Sequence, residues 1–175
     1  MPTGRRPITA IVYDDGPAFE AFLNKAADGL ERDGHRLAGL VQQSVPRPGR
    51  RKCDMVLRDL ATGTVHRISE DRGAEARGCS LDTDLLHRAC AAAETGLSAR
   101  TALLVLCKFG KVEAAGGGVR GLLAAALELG VPVLIGVPSI NRQPFEDFAG
   151  DLARMLQPDM LDPAALQELV QRSTG

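Results

Sequence analysis

The sequence predicts an α/β protein in three layers, with a mostly parallel β-sheet covered by helices on both faces. Short apolar, β-branched runs alternate along the chain with longer segments of helical periodicity, which is the order of strands joined by crossover helices. Two of these runs, Ala102–Cys107 and Pro132–Val137, are continuously apolar, as expected of strands buried on both sides. The chain has 175 residues, and we expect it to form one domain over residues 1–175.

The first third of the chain supplies two strands and a helix. Ile8–Tyr13 is apolar and β-branched and stops at the turn Asp14–Pro17. A helix is predicted over Ala18–Arg32, because its apolar residues recur at helical spacing. A second strand is predicted over Leu37–Val41, ahead of a basic loop at Pro46–Lys52.

The middle of the chain contains one antiparallel element. The runs Met55–Leu60 and Val65–Ile68 flank Ala61–Thr64, a pattern that predicts a β-hairpin inserted into the parallel sheet. Asp71–Ser80 holds two glycines and no apolar periodicity, so a loop is expected there. A helix is predicted to follow, from Asp82 to about Gly96.

The remaining elements are a central strand, a glycine-containing loop, a helix, a further strand and two terminal helices that each have proline near the first turn. In chain order they are expected at Ala102–Cys107, Lys108–Gly118, Val119–Leu129, Pro132–Val137, Pro144–Leu156 and Pro163–Arg172. Ligands of such sheets bind at the carboxyl ends of the strands. The loops that follow the strands are therefore where function is expected.

The composition disfavours nucleic acid as a partner. The chain has one tyrosine, five phenylalanines and no tryptophan, whereas single-stranded nucleic acids are bound by stacking bases on aromatic rings. Its formal net charge is −1, whereas binding to a phosphate backbone needs a surplus of basic residues. At the expected ligand edge the sequence offers mainly one ring, Phe109, which is also an argument against a nucleotide pocket.

The sequence predicts a cytoplasmic protein without a membrane partner. No run approaches the roughly 20 apolar residues of a membrane span, and the stretch Ile8–Tyr13 is too short for the core of a signal peptide. Four cysteines without a Cys-x-x-Cys pair indicate neither a disulfide framework nor a zinc ribbon. Cys90 and Cys107 lie in apolar surroundings and are expected in the core.

The loop after the first strand lacks the features of a phosphate-binding loop. The pattern G-x-x-x-x-G-K-[ST] is absent, and the turn begins with Asp14 and Asp15. A carboxylate about 4 Å from a phosphate oxygen is repelled by about 4 kcal/mol at an effective dielectric constant of about 20. A plain strand-to-helix turn with an acidic helix start accounts for these residues better than a nucleotide site does.

The loop after the central strand is the first candidate site. Lys108 and Lys111 lie where a ligand is expected, and three glycines then lead into a helix whose free N–H groups could bind an anion. The candidate anion-binding residues of this loop are Lys108, Lys111, Gly116, Gly117, Gly118 and Arg120. The alternative is a solvated loop in which the lysines pair with Glu113. No catalytic residue can be assigned from the sequence.

A second candidate site contains Arg77 and two cysteines. A cation beside Cys79 would favour its thiolate, and Cys53 follows a basic stretch, so both are candidate soft ligands for a metal or a metal oxyanion. Burial is the alternative for either thiol. Asp82 or the serine at position 80 could simply cap the following helix.

Six segments together carry a resemblance to a known family: Leu37–Gln43, Lys52–Met55, Ile68-Ser69, Ala76–Asp82, Lys108–Lys111 and Pro132–Val137. Over about residues 8 to 150 the chain resembles a bacterial family known only as a domain of unknown function. Members are often encoded beside molybdate-transport genes, so the resemblance implies a role in molybdenum or tungsten handling.

More distantly, the layout is similar to that of small P-loop nucleoside triphosphatases. In those enzymes a strand ending in an acidic pair precedes an Ile-Gly-Lys-Met-Glu-like stretch. Gly110–Glu113 matches that stretch, but Cys107 and Lys108 occupy the acidic positions. The similarity implies a P-loop-NTPase-like fold with a degenerate Walker A loop, lacking the Mg²⁺-coordinating aspartate.

These observations favour a non-hydrolytic protein that binds a small oxyanion such as molybdate or tungstate. One alternative is a nucleotide-binding protein or nucleoside triphosphatase that uses Asp14, Asp15 and Glu113 around a metal. Another is an interaction module, in which the basic stretch Arg47–Lys52 and an acidic C-terminal end support docking or a homo-oligomer. A nucleotide cofactor is expected less than the anion.

Overall fold

The computed structural model describes residues 6–46, 48–49, 54–70 and 81–171. The described strands form one seven-stranded sheet in the order β4-β3-β2-β5-β6-β1-β7. Their bounds are β1 Ile8–Tyr13, β2 Leu37–Val45, β3 Asp54–Asp59, β4 Val65–Arg67, β5 Leu103–Leu106, β6 Val133–Pro138 and β7 Ala153–Leu156. Five of them are parallel, and β3 and β4 are antiparallel. The predicted α/β fold class is confirmed.

Helices cover both faces of this sheet. They are α1 Gly16–Arg32, α2 Thr83–Thr95, α3 Lys111–Ala114, α4 Arg120–Leu129, α5 Arg142–Ala149 and α6 Pro163–Gln171. One apolar cluster joins α1 and α6 to one face, and a second joins α2, α4 and α5 to the other. The apolar spacing that predicted α1 buries Phe19, Leu23 and Leu30 in the first cluster.

The predicted hairpin is present and belongs to a longer antiparallel unit. β3 pairs antiparallel with β4, with Val56 opposite Arg67. β2 continues past its predicted end, because Gln42–Val45 pair with β3 on one side only. At this end of β2 both faces are less covered, so its side chains change from buried to exposed. The apolar pattern that predicts a strand therefore fades before the strand ends.

Two predicted elements at the C-terminal side need correction. Pro144–Leu156 was expected to be one helix, but α5 ends at Ala149 and the chain then forms a 3₁₀ turn and the strand β7. Gly150 has a φ of +53°, which stops the helix there. The predicted loop Lys108–Gly118 contains the short helix α3.

The sheet brings two oppositely directed connections together at its carboxyl edge. From β1 the chain crosses on one face through α1 to β2, and from β6 it crosses on the other face through α5 to β7. β1 and β6 are neighbours, so the loops that follow them diverge and leave a crevice, the usual place for a ligand in such sheets.

Candidate functional site

Two clefts open at the carboxyl edge, on either side of one pair of rings. Tyr13 and Phe19 stack with centroids 4.1 Å apart and planes 6° apart, and both residues line both clefts. The Lys108 cleft, about 450 Å³, lies between the ends of β1, β2 and β5 and the first turns of α1. The switch-point cleft, about 880 Å³, lies between the ends of β1, β6 and β7.

The backbone N–H groups of Ala18 and Phe19 at the start of α1 are already bonded to Asp15 and are not available to a phosphate. Asp15 is the N-cap, and its Oδ1 accepts from the N–H of Ala18 at 3.0 Å. Phe19 N–H bonds to the backbone carbonyl of Asp15 at 3.0 Å, and Pro17 has no N–H to offer. Only two residues separate β1 from α1. The degenerate phosphate loop expected from the sequence is therefore a short capped turn.

Lys108 is the second residue after the central strand β5, and it lines the cleft named after it. Its side chain is exposed, and none of the carboxylates within the described residues forms an ion pair with it. Its neighbour Cys107 also lines the cleft, and burial together with nearby Glu113 raises the pKa of that thiol to about 12. The cleft thus presents a free ammonium beside a protonated thiol.

The opposite wall of the Lys108 cleft is a fixed polar network. Ser44 donates to Glu20 twice, from its N–H to Oε1 at 2.7 Å and from its hydroxyl to Oε2 at 3.0 Å. Asn24 donates to the backbone carbonyl of Gln42 at 2.9 Å and joins α1 to β2. Burial, Cys107 and Glu20 raise the pKa of Tyr13, so its hydroxyl keeps its proton and can donate to an anion.

Glu113 holds the loop after β5 in place. Its carboxylate is buried and accepts from the N–H of Gly110 at 2.8 Å and from the N–H of Val119 at 3.2 Å. Burial raises the pKa of this carboxyl, and the two backbone donors and Lys108 oppose that shift. A Cβ on Gly118 would overlap the Glu113 carboxylate, so a glycine is required at this close approach.

The three predicted glycines of this loop already have hydrogen-bond partners, inside the loop or on α2. The N–H groups of Gly116 and Gly117 bond to the carbonyls of Glu113 and Val112, and that of Gly118 bonds to His87 Nε2 at 3.2 Å. These donors would have to leave their partners before they could bind an anion.

Arg120 and Lys111 lie apart from Lys108. Arg120 donates from Nε to the carbonyl of Glu113, and its guanidinium lies 4.4 Å from the ring centroid of Phe148. Lys111 is exposed on α3 and lines neither cleft. Of the predicted anion-binding residues that the structure describes, only Lys108 lines either of these two clefts.

Arg77, Cys79 and Cys53 lie outside the described residues. Their described neighbours meet at one place: Ser69 Oγ accepts from Met55 N–H at 3.1 Å, and Ser69 pairs with Leu81 in an isolated β-bridge. Met55, Ser69 and Leu81 therefore meet at one point of the fold.

The aromatic side chains of the ligand edge differ from the prediction. Phe109 was expected there but is fully buried, packed against Phe145 with ring centroids 5.2 Å apart. The rings at the edge are those of Tyr13, Phe19 and Phe22. Phe19 and Phe22 belong to the apolar residues whose helical spacing predicts α1. Their place in the first turns after a strand was the signal that they also reach the edge.

Of the two cysteines expected in the core, only one is fully buried. Cys90 is buried as predicted, whereas Cys107 is only partly buried and faces the cleft.

Across residues 6–46, 48–49, 54–70 and 81–171, no group of three histidine, cysteine or acidic side chains could hold a metal ion. Within the same ranges no helix is both long enough and apolar enough to cross a membrane.

Comparison with known proteins gives a family and one curated relative. The family described as "Protein of unknown function (DUF2478)" matches residues 8–170. The chain is 33% identical over 149 residues to the "Molybdenum import ATP-binding protein ModC 2" of Bradyrhizobium diazoefficiens. That alignment covers 85% of this chain but 17% of the relative.

Most of that relative thus lies outside the similarity, and no solved structure matches the chain. The relative's name still agrees with the P-loop-NTPase-like relationship of this α/β sheet. Since the family covers almost the whole sequence, the chain belongs to the DUF2478 family of unknown function.

Proposed function

We propose that the chain binds a small tetrahedral oxyanion beside Lys108, at the carboxyl edge of its sheet, and does not hydrolyse nucleotides. The observation that carries this proposal is the Lys108 ammonium, which faces a cleft without an ion-pair partner among the described carboxylates. A charge-assisted hydrogen bond from such a group is about twice as strong as a neutral one.

Neutral donors around Lys108 support a compact anion. The Tyr13 hydroxyl and the Cys107 thiol both stay protonated and line the same cleft, as does Gly16 in the first turn of α1. Glu20 is the carboxylate of this cleft, and two hydrogen bonds from Ser44 hold it in the opposite wall. The arrangement suits an ion held by one ammonium and several neutral donors better than a polyphosphate that needs several cations.

Molybdate or tungstate is the proposed ligand. The matched relative is named for molybdenum import, although the chain spans only 17% of that protein. The resemblance of the six sequence segments points to the same chemistry. Arg77, Cys79 and Cys53 stay in the proposal as residues that could complete the site, outside the described part of the chain.

Two features of the structure support the proposed absence of hydrolysis. The turn after β1 is capped by Asp15, so no phosphate loop is offered. Glu113, which the alternative enzyme would use beside a metal, is buried and accepts two backbone N–H groups of its own loop. A carboxylate used in this way is not free to activate water.

The test is a thermal-shift and calorimetric titration of the chain with molybdate, tungstate, sulfate and phosphate. At about 100 times the Kd, a ligand stabilises the folded state by about 2.7 kcal/mol, which for this size raises Tm by several degrees. Lys108→Met is expected to abolish the shift. Lys111→Met, in the same loop but outside both clefts, should retain it.

Three results would overturn the proposal. They are no shift with any of the four anions, equal losses from the two lysine variants, and release of phosphate from ATP or GTP by the wild-type chain. Tighter binding of molybdate and tungstate than of sulfate would identify the ligand within the oxyanion class.

A further inference from the structure

The switch-point cleft has a chemistry unlike that of the Lys108 cleft. Its volume of about 880 Å³ is that of a pocket for a metabolite-sized molecule. It lies on the other side of the Tyr13–Phe19 stack, so a ligand could occupy it without entering the Lys108 cleft. No part of the proposed oxyanion site accounts for it.

One wall of the switch-point cleft is apolar and open. Phe22 is half-buried on α1, and its ring centroid lies 6.0 Å from that of Phe19. Opposite α1, Leu156 and Met155 come from β7, and Met160 from the turn that follows is 59% exposed. A methionine and a phenylalanine facing solvent in one concave surface offer an apolar body a place to bind.

The polar groups of the same cleft are mainly anionic. Among the described residues that line it, the carboxylates are those of Asp14, Asp15 and Asp159, and the one cation is Arg142. Arg142 Nε already donates to Glu146 at 3.0 Å, outside the cleft lining, which offsets its charge. The cleft therefore favours a positive ligand.

Asp14 is held in position for such a ligand. Its Oδ1 accepts a hydrogen bond from the hydroxyl of Ser139, which joins the loop after β1 to the loop after β6. The described residues give its second oxygen, Oδ2, no hydrogen-bond partner. A carboxylate fixed by one oxygen and free at the other can accept from an ammonium or guanidinium group.

Two other ligand classes fit this cleft less well. A nucleotide in this cleft would place its phosphates close to the carboxylates of Asp14 and Asp15. Like charges repel each other at such close range, so a nucleotide is disfavoured. A divalent metal needs several ligands converging on one point, and the described side chains provide no such group of three. An aromatic wall beside carboxylates is the arrangement that recognises organic cations.

We propose that the switch-point cleft binds an organic cation, whose aromatic or aliphatic body packs against Phe22 and Met160 and whose ammonium or guanidinium group bonds to Asp14. This site is separate from the proposed oxyanion site and does not depend on it.

The test compares two probes of equal shape and opposite charge, phenethylammonium and phenylacetate, titrated into the full chain by NMR or calorimetry. Phenethylammonium is expected to bind at least about tenfold more tightly, about the effect of one hydrogen bond to a charged group. Asp14→Asn should weaken its binding by a similar factor. The asparagine Oδ1 can still accept from Ser139, so this variant should remain folded.

Two further variants make the test specific. Asp151→Asn, at an exposed carboxylate of the neighbouring 3₁₀ turn that does not line the cleft, should bind phenethylammonium like the wild type. Lys108→Met should also leave this affinity unchanged, so the two proposed sites can fail separately. The proposal is wrong if phenylacetate or AMP binds as well as phenethylammonium, if Asp14→Asn has no effect, or if neither probe binds at millimolar concentration.

Discussion

Glu113 shows how one side chain can decide what a loop is able to do. Its sequence context matches a stretch of nucleoside triphosphatases, and the alternative enzyme would use its carboxylate beside a metal. In the structure its two oxygens join Gly110 to Val119, and the carboxylate is buried beneath the loop. The sequence could identify the residue but not its partners. The same spacing is compatible with a carboxylate beside a metal and with one that hydrogen-bonds to its own loop.

Glu113→Gln is expected to destabilise the fold. The glutamine oxygen can accept from one of the two N–H groups, while its NH₂ faces the other, which loses its partner. An unsatisfied buried donor costs about 1–3 kcal/mol. Urea unfolding followed by circular dichroism measures this change. The variant should bind oxyanions no more weakly than the wild type, because a negative charge near Lys108 has been removed.

The difference in unfolding free energy between the wild type and Glu113→Gln is expected to depend on pH. Burial raises the pKa of Glu113 in the folded state above its ordinary 4.5, so the native carboxyl binds its proton more tightly than the unfolded one. Its contribution to stability is then complete below pH 4.5 and is lost as pH rises through the folded pKa. The difference in unfolding free energy between wild type and Glu113→Gln should shrink over that range. A difference that grows with pH would contradict the predicted shift.

At the scale of elements, apolar periodicity predicted the longer buried strands and helices but not the short strand β7. β1, β6 and α2 lie where their apolar patterns placed them, because each buries a full face of side chains. β7 has only four residues and follows a helix after one 3₁₀ turn. Its strand character depends on parallel pairing with β1, more than 140 positions earlier in the chain, which local sequence does not encode.

The contact between β2 and β5 gives a test of the sheet itself. Gly39 lies opposite Val105 with a φ of +116°, and a Cβ there would overlap the Val105 carbonyl. Gly39→Ala should therefore destabilise the fold by more than about 1 kcal/mol, from strain and overlap together. The matched control is Gly29→Ala in α1, where nothing lies within 4 Å of the new Cβ.

The control should move stability in the opposite direction. In a helix, alanine is about 0.5–1 kcal/mol more favourable than glycine, so Gly29→Ala is expected to stabilise. Chemical denaturation of both variants measures the two signs. Equal effects would mean that the close approach of β2 to β5 does not limit residue 39.

At the scale of the whole molecule, the fold packs the last strand and helix of the chain against the first strand and helix. β7 pairs with β1, α6 contacts α1, and Cys107 touches the apolar clusters on both faces of the sheet. The sequence predicted the fold class because alternating elements leave few topologies. It could not predict that Tyr13 and Phe19 separate two clefts, because that depends on packing between a strand end and a helix.

The two described thiols report on whether this molecule unfolds as one unit. Burial raises the pKa of Cys90 and of Cys107 to about 12, so at pH 8 both thiols stay protonated and react slowly. In a variant with Cys53→Ser and Cys79→Ser, only these two cysteines can react with a thiol reagent. We expect both to be labelled in urea along the same transition that circular dichroism detects, since Cys90 lies in one cluster and Cys107 contacts both. Labelling of Cys107 in the native state, at a rate independent of urea, would instead mean that the reagent reaches this thiol through the Lys108 cleft without unfolding. Saturating molybdate should then slow that labelling if the anion occupies the cleft beside Lys108.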